Sequence, residues 1–275
     1  MWKAGKTEMS SRCRRAAVLL CLVLLGAWYL LRPSFFASDL TSELFDIALS
    51  RALCSAVFLL TLYELRTPLL RPLCPAAWSG KGGKSPLRAA LICLPWLAVA
   101  VNNFPILPLI GGEAVVDCLP LDALLYVIGC LCIGLFEETA FRGLVFPLML
   151  RRLGRGPKAV FLSIVATSGV FGLMHLVNLL EGGSPLGVLM QVGYSFLIGG
   201  MCAIALLKTG SIWPAVLLHG VYDVGGYLID RLGRGEIWNA ASIALTAAVA
   251  VLVAGYTVWM LTTVTEEEVR RIVGD

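Results

Sequence analysis

Charged residues are scarce in this chain of 275 residues: 15% are charged, 58% are hydrophobic, and the mean hydropathy is +0.84. A soluble domain is about one quarter charged, so this composition excludes an ordinary soluble enzyme. Linkers and low-complexity segments are also missing, and apolar runs of about 20 residues, the length that crosses a bilayer, fill nearly the whole chain. We therefore predict an all-α, polytopic transmembrane helix bundle of about eight spans: 16–31, 44–64, 88–110, 122–150, 158–180, 186–207, 211–230 and 238–262.

Several short motifs are missing as well. The nine cysteines form no CxxC pair, the two histidines form no HExxH motif, and no internal repeat is visible. These absences exclude the compact redox and zinc motifs that depend on such spacings, and the scattered cysteines are interpreted as small apolar packing residues. The N-terminal region resembles a signal peptide, but no small-x-small cleavage site clearly follows it, which favours an uncleaved first helix.

Positive charge is nearly absent from one side of the predicted bundle. With eight spans, seventeen of the 22 Lys and Arg residues fall on the side that holds both termini and three fall on the other, while Arg51 and Arg142 lie within spans. Because positively charged loops mark the cytoplasmic side, we predict that both termini are cytoplasmic. The net charge of +4 then follows from membrane topology and gives no indication of nucleic-acid binding.

Histidine is rare, and both copies lie in motifs with a four-residue spacing. His175 ends the sequence Phe171-Gly-Leu-Met-His175, and His219 begins His219-Gly-Val-Tyr-Asp223. Both stretches are apolar and fall within predicted spans. Ionisable groups are costly in the bilayer core and are functional candidates there by default, so both motifs are candidate site elements.

A third predicted span carries Glu137-Glu138-Thr-Ala-Phe-Arg142. Residues four apart share a helix face, so Glu138 and Arg142 can form a carboxylate–guanidinium pair, which keeps two charges stable in a membrane. Glu137 lies about 100° further round the helix and would face a neighbouring helix or a water-filled cavity. We predict a structural role for Glu138 and a chemical role for Glu137. The alternative is that both are framework ions.

The two histidine motifs leave alternatives open. Phe171 lies one turn before His175 and could orient its ring, while Asp223 lies one turn after His219 and could fix its tautomer. Each histidine could equally be a packed polar residue of a helix core. Helix depths, taken at about 1.5 Å per residue, allow the groups on all three spans to converge on one cavity, which favours an active site.

Together the three motifs resemble the signature of the CPBP intramembrane proteases, a family of CAAX proteases and bacteriocin-processing enzymes. EExxxR, FxxxH and HxxxN/D follow one another in this order over roughly residues 120–230. We accordingly divide the chain into N-terminal membrane helices (1–120), a CPBP-like catalytic membrane core (121–230), and a C-terminal membrane helix with a short cytoplasmic tail (231–275). All three parts would form a single integral membrane domain.

The resemblance implies roles for individual residues. Glu137 would act with His175 to activate the hydrolytic water, and His219 would stabilise the oxyanion of the tetrahedral intermediate together with the residue at position 223. The residues that would support the site are Glu138, Arg142 and Phe171.

Two features of this signature stay open. Position 223 is aspartate, whereas the best-described eukaryotic members have asparagine; an ionised carboxylate only accepts hydrogen bonds, so Asp223 could orient His219 instead of contacting the oxyanion. A second question is the metal, since the family is commonly labelled as metalloproteases and two His with one Glu form a catalytic zinc set. Glu137, His175 and His219 would then be ligands, although we favour a glutamate that acts on water directly, without a cofactor.

The resemblance implies an intramembrane endopeptidase that cleaves a membrane-associated peptide or protein, with the lipid bilayer as its other partner. The alternatives are a proton- or ion-coupled transporter, a catalytically silent immunity or secretion accessory protein, or a family member with another hydrolytic or transferase substrate. The compact chain resembles bacterial members, which predicts the plasma membrane of a bacterial cell. Arg51 lies inside the second predicted span; we expect it to pair with Asp46 or an acid of another helix and assign it no catalytic role.

Overall fold

The computed structural model describes residues 11–31, 35–71, 86–180 and 182–274, and most of them are helical. The helices are α1 (Ser11–Leu31), α2 (Asp39–Glu64), α3 (Pro86–Asn102), α4 (Ile106–Gly111), α5 (Pro120–Ala140), α6 (Phe146–Leu153), α7 (Pro157–Met174), α8 (Pro185–Thr209), α9 (Trp213–Gly226), α10 (Leu228–Leu232), α11 (Ala240–Thr262) and α12 (Glu266–Val273). Shorter segments are two 3₁₀ turns (Pro68–Leu70 and His175–Leu179), a π-helical turn (Phe141–Val145) and two strands, β1 (Ala114–Val116) and β2 (Gly233–Gly235).

The all-α membrane bundle predicted from composition is confirmed. Five helical segments among the described residues are long and apolar enough to cross a bilayer; these are Asp39–Glu64, Pro120–Leu153, Pro157–Leu179, Pro185–Thr209 and Ala240–Thr262. The apolar stretch of α1 is shorter, and α3 and α9 also have fewer residues than a helix needs to cross a bilayer. The several apolar helices indicate an integral membrane protein, while the number of eight spans stays a prediction.

Two predicted spans are interrupted where the sequence analysis expected continuous helices. The segment 88–110 breaks after Asn102, because Pro105 supplies no backbone donor and disfavours helical geometry in the residue before it. The segment 211–230 breaks at Gly226. The two breaks meet in space: Asn103 Nδ2 donates to the backbone carbonyl of Tyr222 at 2.8 Å, and a Cβ on Gly225 would lie 2.7 Å from the backbone nitrogen of Phe104. Glycine therefore allows the end of α9 to pack directly on the α3–α4 turn.

Helices α3 and α11 are joined by polar contacts along their length. Trp96 Nε1 donates to Thr257 Oγ1 at 2.9 Å, and Asn102 Nδ2 donates to Thr246 Oγ1 at 3.0 Å. The hydroxyl of Tyr256 donates to the carbonyl of Ile92 at 2.7 Å. Such interhelical hydrogen bonds stabilise helix pairs in lipid. They hold α11, most of whose residues are exposed, against the rest of the bundle.

Basic residues gather at one end of the bundle, which we call the basic end. There the buried Lys208 Nζ lies 2.9 Å from Glu268 Oε2, which joins the last turn of α8 to α12. Arg151 Nε donates to the carbonyl of Val273 at 3.1 Å, and Ser211 Oγ donates to that of Arg71 at 2.8 Å. α12 is an amphipathic helix in a segment for which the sequence analysis predicted only a short tail. Part of the charge counted on this side lies outside the described residues, namely Lys3, Lys6, Lys81 and Lys84, and so does Arg32, which was counted on the opposite side.

The opposite end of the bundle carries a small antiparallel ribbon that the sequence analysis did not predict. β1 pairs with β2, with Val115 opposite Arg234. Arg234 also pairs with Asp117 at 2.9 Å, and Arg231 pairs with Glu43 at the start of α2. Because these strands have three residues each and no hydrophobic alternation, their sequences carry little strand signal.

Candidate active site

Helices α5 and α9 approach each other closely at two glycines. A Cβ on Gly134 would lie 2.8 Å from the backbone nitrogen of Gly220, and a Cβ on Gly220 would lie 2.9 Å from Leu131 Cδ2. Small residues permit this approach between membrane helices. Gly134 lies one turn before the glutamate pair and Gly220 follows His219, so the contact brings the second histidine next to the glutamates.

Glu138 lies between a cation and a histidine. Its Oε1 accepts a hydrogen bond from Arg142 at 2.9 Å and lies 2.8 Å from Nδ1 of His219. Glu138 is fully buried and Arg142 is 1% exposed. Arg142 belongs to the π-helical turn that follows α5, and its guanidinium lies over the Phe171 ring, 4.7 Å from the centroid. Glu138 therefore both neutralises Arg142 and holds the imidazole of His219.

The second nitrogen of His219 faces two other carboxylates. Its Nε2 lies 3.5 Å from Glu137 Oε2 and 3.7 Å from Asp223 Oδ2. The predicted role of Asp223 in orienting His219 is not the geometry found, because 3.7 Å is beyond hydrogen-bond distance and Glu138 occupies Nδ1. Since a carboxylate only accepts, Nδ1 of His219 is the donor to Glu138. Nε2 is then the nitrogen left for a ligand.

His175 is placed by the end of α7. It is the first residue of the 3₁₀ turn rather than part of the α-helix, and its Nδ1 lies 3.1 Å from the carbonyl oxygen of Phe171. A carbonyl accepts, so Nδ1 donates and Nε2 is free to accept a proton. The Phe171 ring lies edge-on to both imidazoles, with centroids 5.2 Å from His175 and 5.7 Å from His219. Phe171 thus contacts both imidazole rings.

One cavity of about 630 Å³ collects the predicted site residues. Glu137, His175, His219 and Asp223 all line it, together with Phe171, whereas Glu138 and Arg142 lie behind its wall. The side chain of Glu137 is 21% exposed, against none for Glu138. The three spans therefore converge, and the adjacent glutamates have separate surroundings.

A polar chain forms another wall of the cavity. Asn178 Nδ2 donates to Gln191 Oε1 at 2.8 Å, and Gln191 Nε2 donates to the Tyr227 hydroxyl at 3.1 Å. All three side chains line the cavity. These three residues were not predicted from the sequence, because single amides and a tyrosine in three different segments form no motif. Their polarity within apolar stretches was the available signal.

Residues 119–225 match the family model described as Type II CAAX prenyl endopeptidase Rce1-like. This segment of the chain is therefore similar to the CAAX protease family. The matched segment runs from the start of α5 almost to the end of α9 and contains all seven predicted site residues. No curated protein and no solved structure matches the chain.

Arg51 also faces this cavity, although it lies outside the matched segment. Its guanidinium lies over the Phe136 ring, 5.6 Å from the centroid. Among the described residues no acid forms an ion pair with it, so the predicted partnership with Asp46 or an acid of another helix is wrong. A cation–π contact with the residue before Glu137 takes its place.

The predicted zinc ligands Glu137, His175 and His219 all lie within the matched segment. Among residues 11–31, 35–71, 86–180 and 182–274, no three His, Cys, Asp or Glu side chains are grouped so that they could hold a metal ion. The predicted ligands Glu137, His175 and His219 are thus not gathered into a metal-holding group in this part of the chain.

Proposed function

We propose that the protein is an intramembrane endopeptidase that hydrolyses a peptide bond in a membrane-associated peptide or protein. The observation that supports this most directly is the convergence of Glu137, His175 and His219 on one cavity within the family domain. Family membership implies a protease and a membrane-associated substrate. We further propose a bacterial plasma membrane as its location, with both termini in the cytoplasm.

Peptide hydrolysis needs a base for water, and we assign that role to Glu137 acting with His175. The carboxylate takes a proton from water, the oxygen attacks the scissile carbonyl carbon, and the proton passes to the leaving amine as the C–N bond breaks. The partial exposure of Glu137 into the cavity supports this role. His175 offers Nε2 to the same water, because its Nδ1 is held by the Phe171 carbonyl.

The negative charge that develops on the carbonyl oxygen needs a donor, and we assign His219. Its ring is fixed through Nδ1 by the buried Glu138, so Nε2 points to a defined place and donates there when both ring nitrogens carry protons. Removing one oxyanion donor typically costs about 10²–10³ in rate. Glu138, Arg142 and Phe171 are positioning residues in this scheme, and Asp223 adds negative charge beside Nε2.

The first prediction concerns Glu137. Glu137→Gln should keep the fold and lower hydrolysis by at least about 10²-fold, because the amide cannot take a proton from water. The probe is a fluorescence-quenched farnesylated peptide ending in a CAAX sequence, chosen from the description of the matched family, together with a mixture of unmodified apolar peptides. Cleavage in proteoliposomes is followed by mass spectrometry. Equal cleavage by Glu137→Gln and the parent would reject this mechanism; no cleavage of any membrane peptide by the parent would count against the function.

The second prediction separates this mechanism from a zinc-bound water held by Glu137, His175 and His219. We expect chelators to have little effect on hydrolysis and metal analysis of the purified protein to find no stoichiometric zinc. One tightly held zinc per chain, lost in His175→Ala, would overturn the glutamate–histidine mechanism. It would leave the protease assignment standing.

A further inference from the structure

Arg51 is a cation in a membrane helix that no acid neutralises among the described residues. It lies in the middle of α2, is half-buried, and lines the same cavity as Glu137. Its contact is the Phe136 ring, which covers one face of the guanidinium and leaves its N–H groups uncommitted to an acid. A charged side chain inside a bilayer is costly unless it pairs or faces water.

The other arginines at the site differ from Arg51 in this respect. Arg142 is paired with Glu138 at 2.9 Å behind the cavity wall. Arg231 lines the cavity and is paired with Glu43 near the surface. Arg51 is therefore the cavity cation that stays available to an incoming anion within the part of the chain that the structure describes.

The chemistry of this position favours a carboxylate. A guanidinium presents a planar fork of donors that matches the two oxygens of a carboxylate, and such charge-assisted pairs are about twice as strong as neutral hydrogen bonds. Around His219 the position is less favourable to an anion, because the carboxyl groups of Glu137 and Asp223 lie beside Nε2. An anionic group of a bound peptide is thus directed to Arg51.

We propose that Arg51 is a substrate-binding residue that pairs with a carboxylate of the bound peptide, either its C-terminus or an acidic side chain. This proposal rests on the proposed peptidase function, because that function makes a peptide the occupant of the cavity. Phe136 precedes Glu137 on α5, so the guanidinium over its ring lies beside the helix segment that carries the proposed base. The pairing fixes the position of the peptide relative to Glu137.

The experiment measures binding and needs no hydrolysis, so it is independent of whether peptides are cleaved. All proteins carry Glu137→Gln and are held in nanodiscs of phosphatidylcholine, which contributes no anionic lipid. Three fluorescent peptides share one apolar sequence: one has a free C-terminal carboxylate, one a C-terminal amide, and one the amide with an internal Glu. We expect at least one carboxylate peptide to bind about 10-fold tighter than the plain amide, the gain of one charge-assisted hydrogen-bonded pair.

Arg51→Gln and Arg51→Met should abolish this gain while leaving the affinity for the plain amide unchanged. Arg231→Gln, which changes the other arginine of the cavity, should keep the gain and is the matched control. The peptide that shows the gain identifies the source of the carboxylate. The proposal would be overturned if the Glu137→Gln protein with Arg51 intact bound all three peptides equally. It would also be overturned if the tighter binding of a carboxylate peptide survived in both Arg51 variants. Loss of amide binding in both variants would overturn it too, because Arg51 would then support the cavity itself.

Discussion

At the residue scale, two adjacent glutamates occupy different environments because a helix turns about 100° per residue. Glu138 points into the bundle, where it contacts both Arg142 and His219, while Glu137 reaches the cavity. Desolvating a charge is tolerated when partners replace the water. Glu138 has two partners, and this explains how a fully buried carboxylate can exist inside a membrane helix.

The third prediction follows from this network. Glu138→Gln should lower the stability of the protein by about 3–5 kcal/mol, because it leaves the buried Arg142 charge without a counter-ion. It should also lower hydrolysis, since Nδ1 of His219 loses its anionic acceptor. Thermal unfolding in detergent measures the first effect, with Glu137→Gln as the control that keeps its stability. Identical melting temperatures for the two variants would contradict the division of roles between the glutamates.

Some contacts of single residues could be predicted from the sequence and others could not. The spacing of Glu138 and Arg142 predicts their contact, because both lie on one continuous helix and a four-residue offset fixes their separation. The partner of His219 could not be read in this way: Asp223 is one turn away on its own helix, but the nearest acceptor comes from α5. The predicted partner of Arg51 was wrong for the same reason, since its contact with Phe136 depends on how α2 and α5 pack. Contacts within a helix are local, whereas contacts between helices need the tertiary arrangement.

At the element scale, hydropathy locates the membrane helices but not their interruptions. The apolar run 88–110 carries Pro95 within a helix and Pro105 at a break, so proline alone does not decide where a helix stops. The end of α7 is similar, because His175 begins a 3₁₀ turn without any Gly or Pro beside it. Only one of the two prolines thus ends a helix, and at His175 the sequence carries no breaker that would predict the change.

The fourth prediction concerns the close contact between α5 and α9. Gly134→Ala should separate the two helices, because the new Cβ would lie 2.8 Å from backbone atoms of Gly220 that cannot rotate away. Overpacking of this kind typically costs about 1–3 kcal/mol, and here it also moves His219 relative to Glu138, so hydrolysis should fall. The control is Gly129→Ala on the same helix, where the nearest atom is a side-chain carbon of Ile47 at 3.5 Å.

Gly129→Ala should retain both the melting temperature and the activity of the parent. The measurements are thermal unfolding in detergent and the rate of peptide cleavage. If Gly134→Ala behaves like Gly129→Ala in both, the glycine contact does not position the site, and the arrangement of α5 and α9 must be set elsewhere in the bundle.

At the scale of the whole molecule, the two ends of the bundle differ in charge and in access to the site. At the basic end α12 packs on the bundle through the ion pair of Glu268 with Lys208, and none of its residues lines the cavity. The cavity reaches the surface at the opposite end, where the lining residues Glu43, Ser184 and Arg231 are exposed. If the basic end is cytoplasmic, as the charge distribution predicts, a substrate enters the cavity from the other side of the membrane.

The fifth prediction tests orientation and access together. In a protein without its native cysteines, Val115→Cys on β1 and Ser184→Cys at the cavity rim should react with a membrane-impermeant maleimide in intact cells. Glu267→Cys on α12 should react only after permeabilisation, because it lies at the basic end. All three positions are exposed in the folded chain, so burial does not limit labelling. The reverse pattern would invert the topology while leaving the site unchanged. Labelling of Val115→Cys and Glu267→Cys as expected, with Ser184→Cys protected, would instead show that the cavity does not open at the end of the bundle that carries the β1–β2 ribbon.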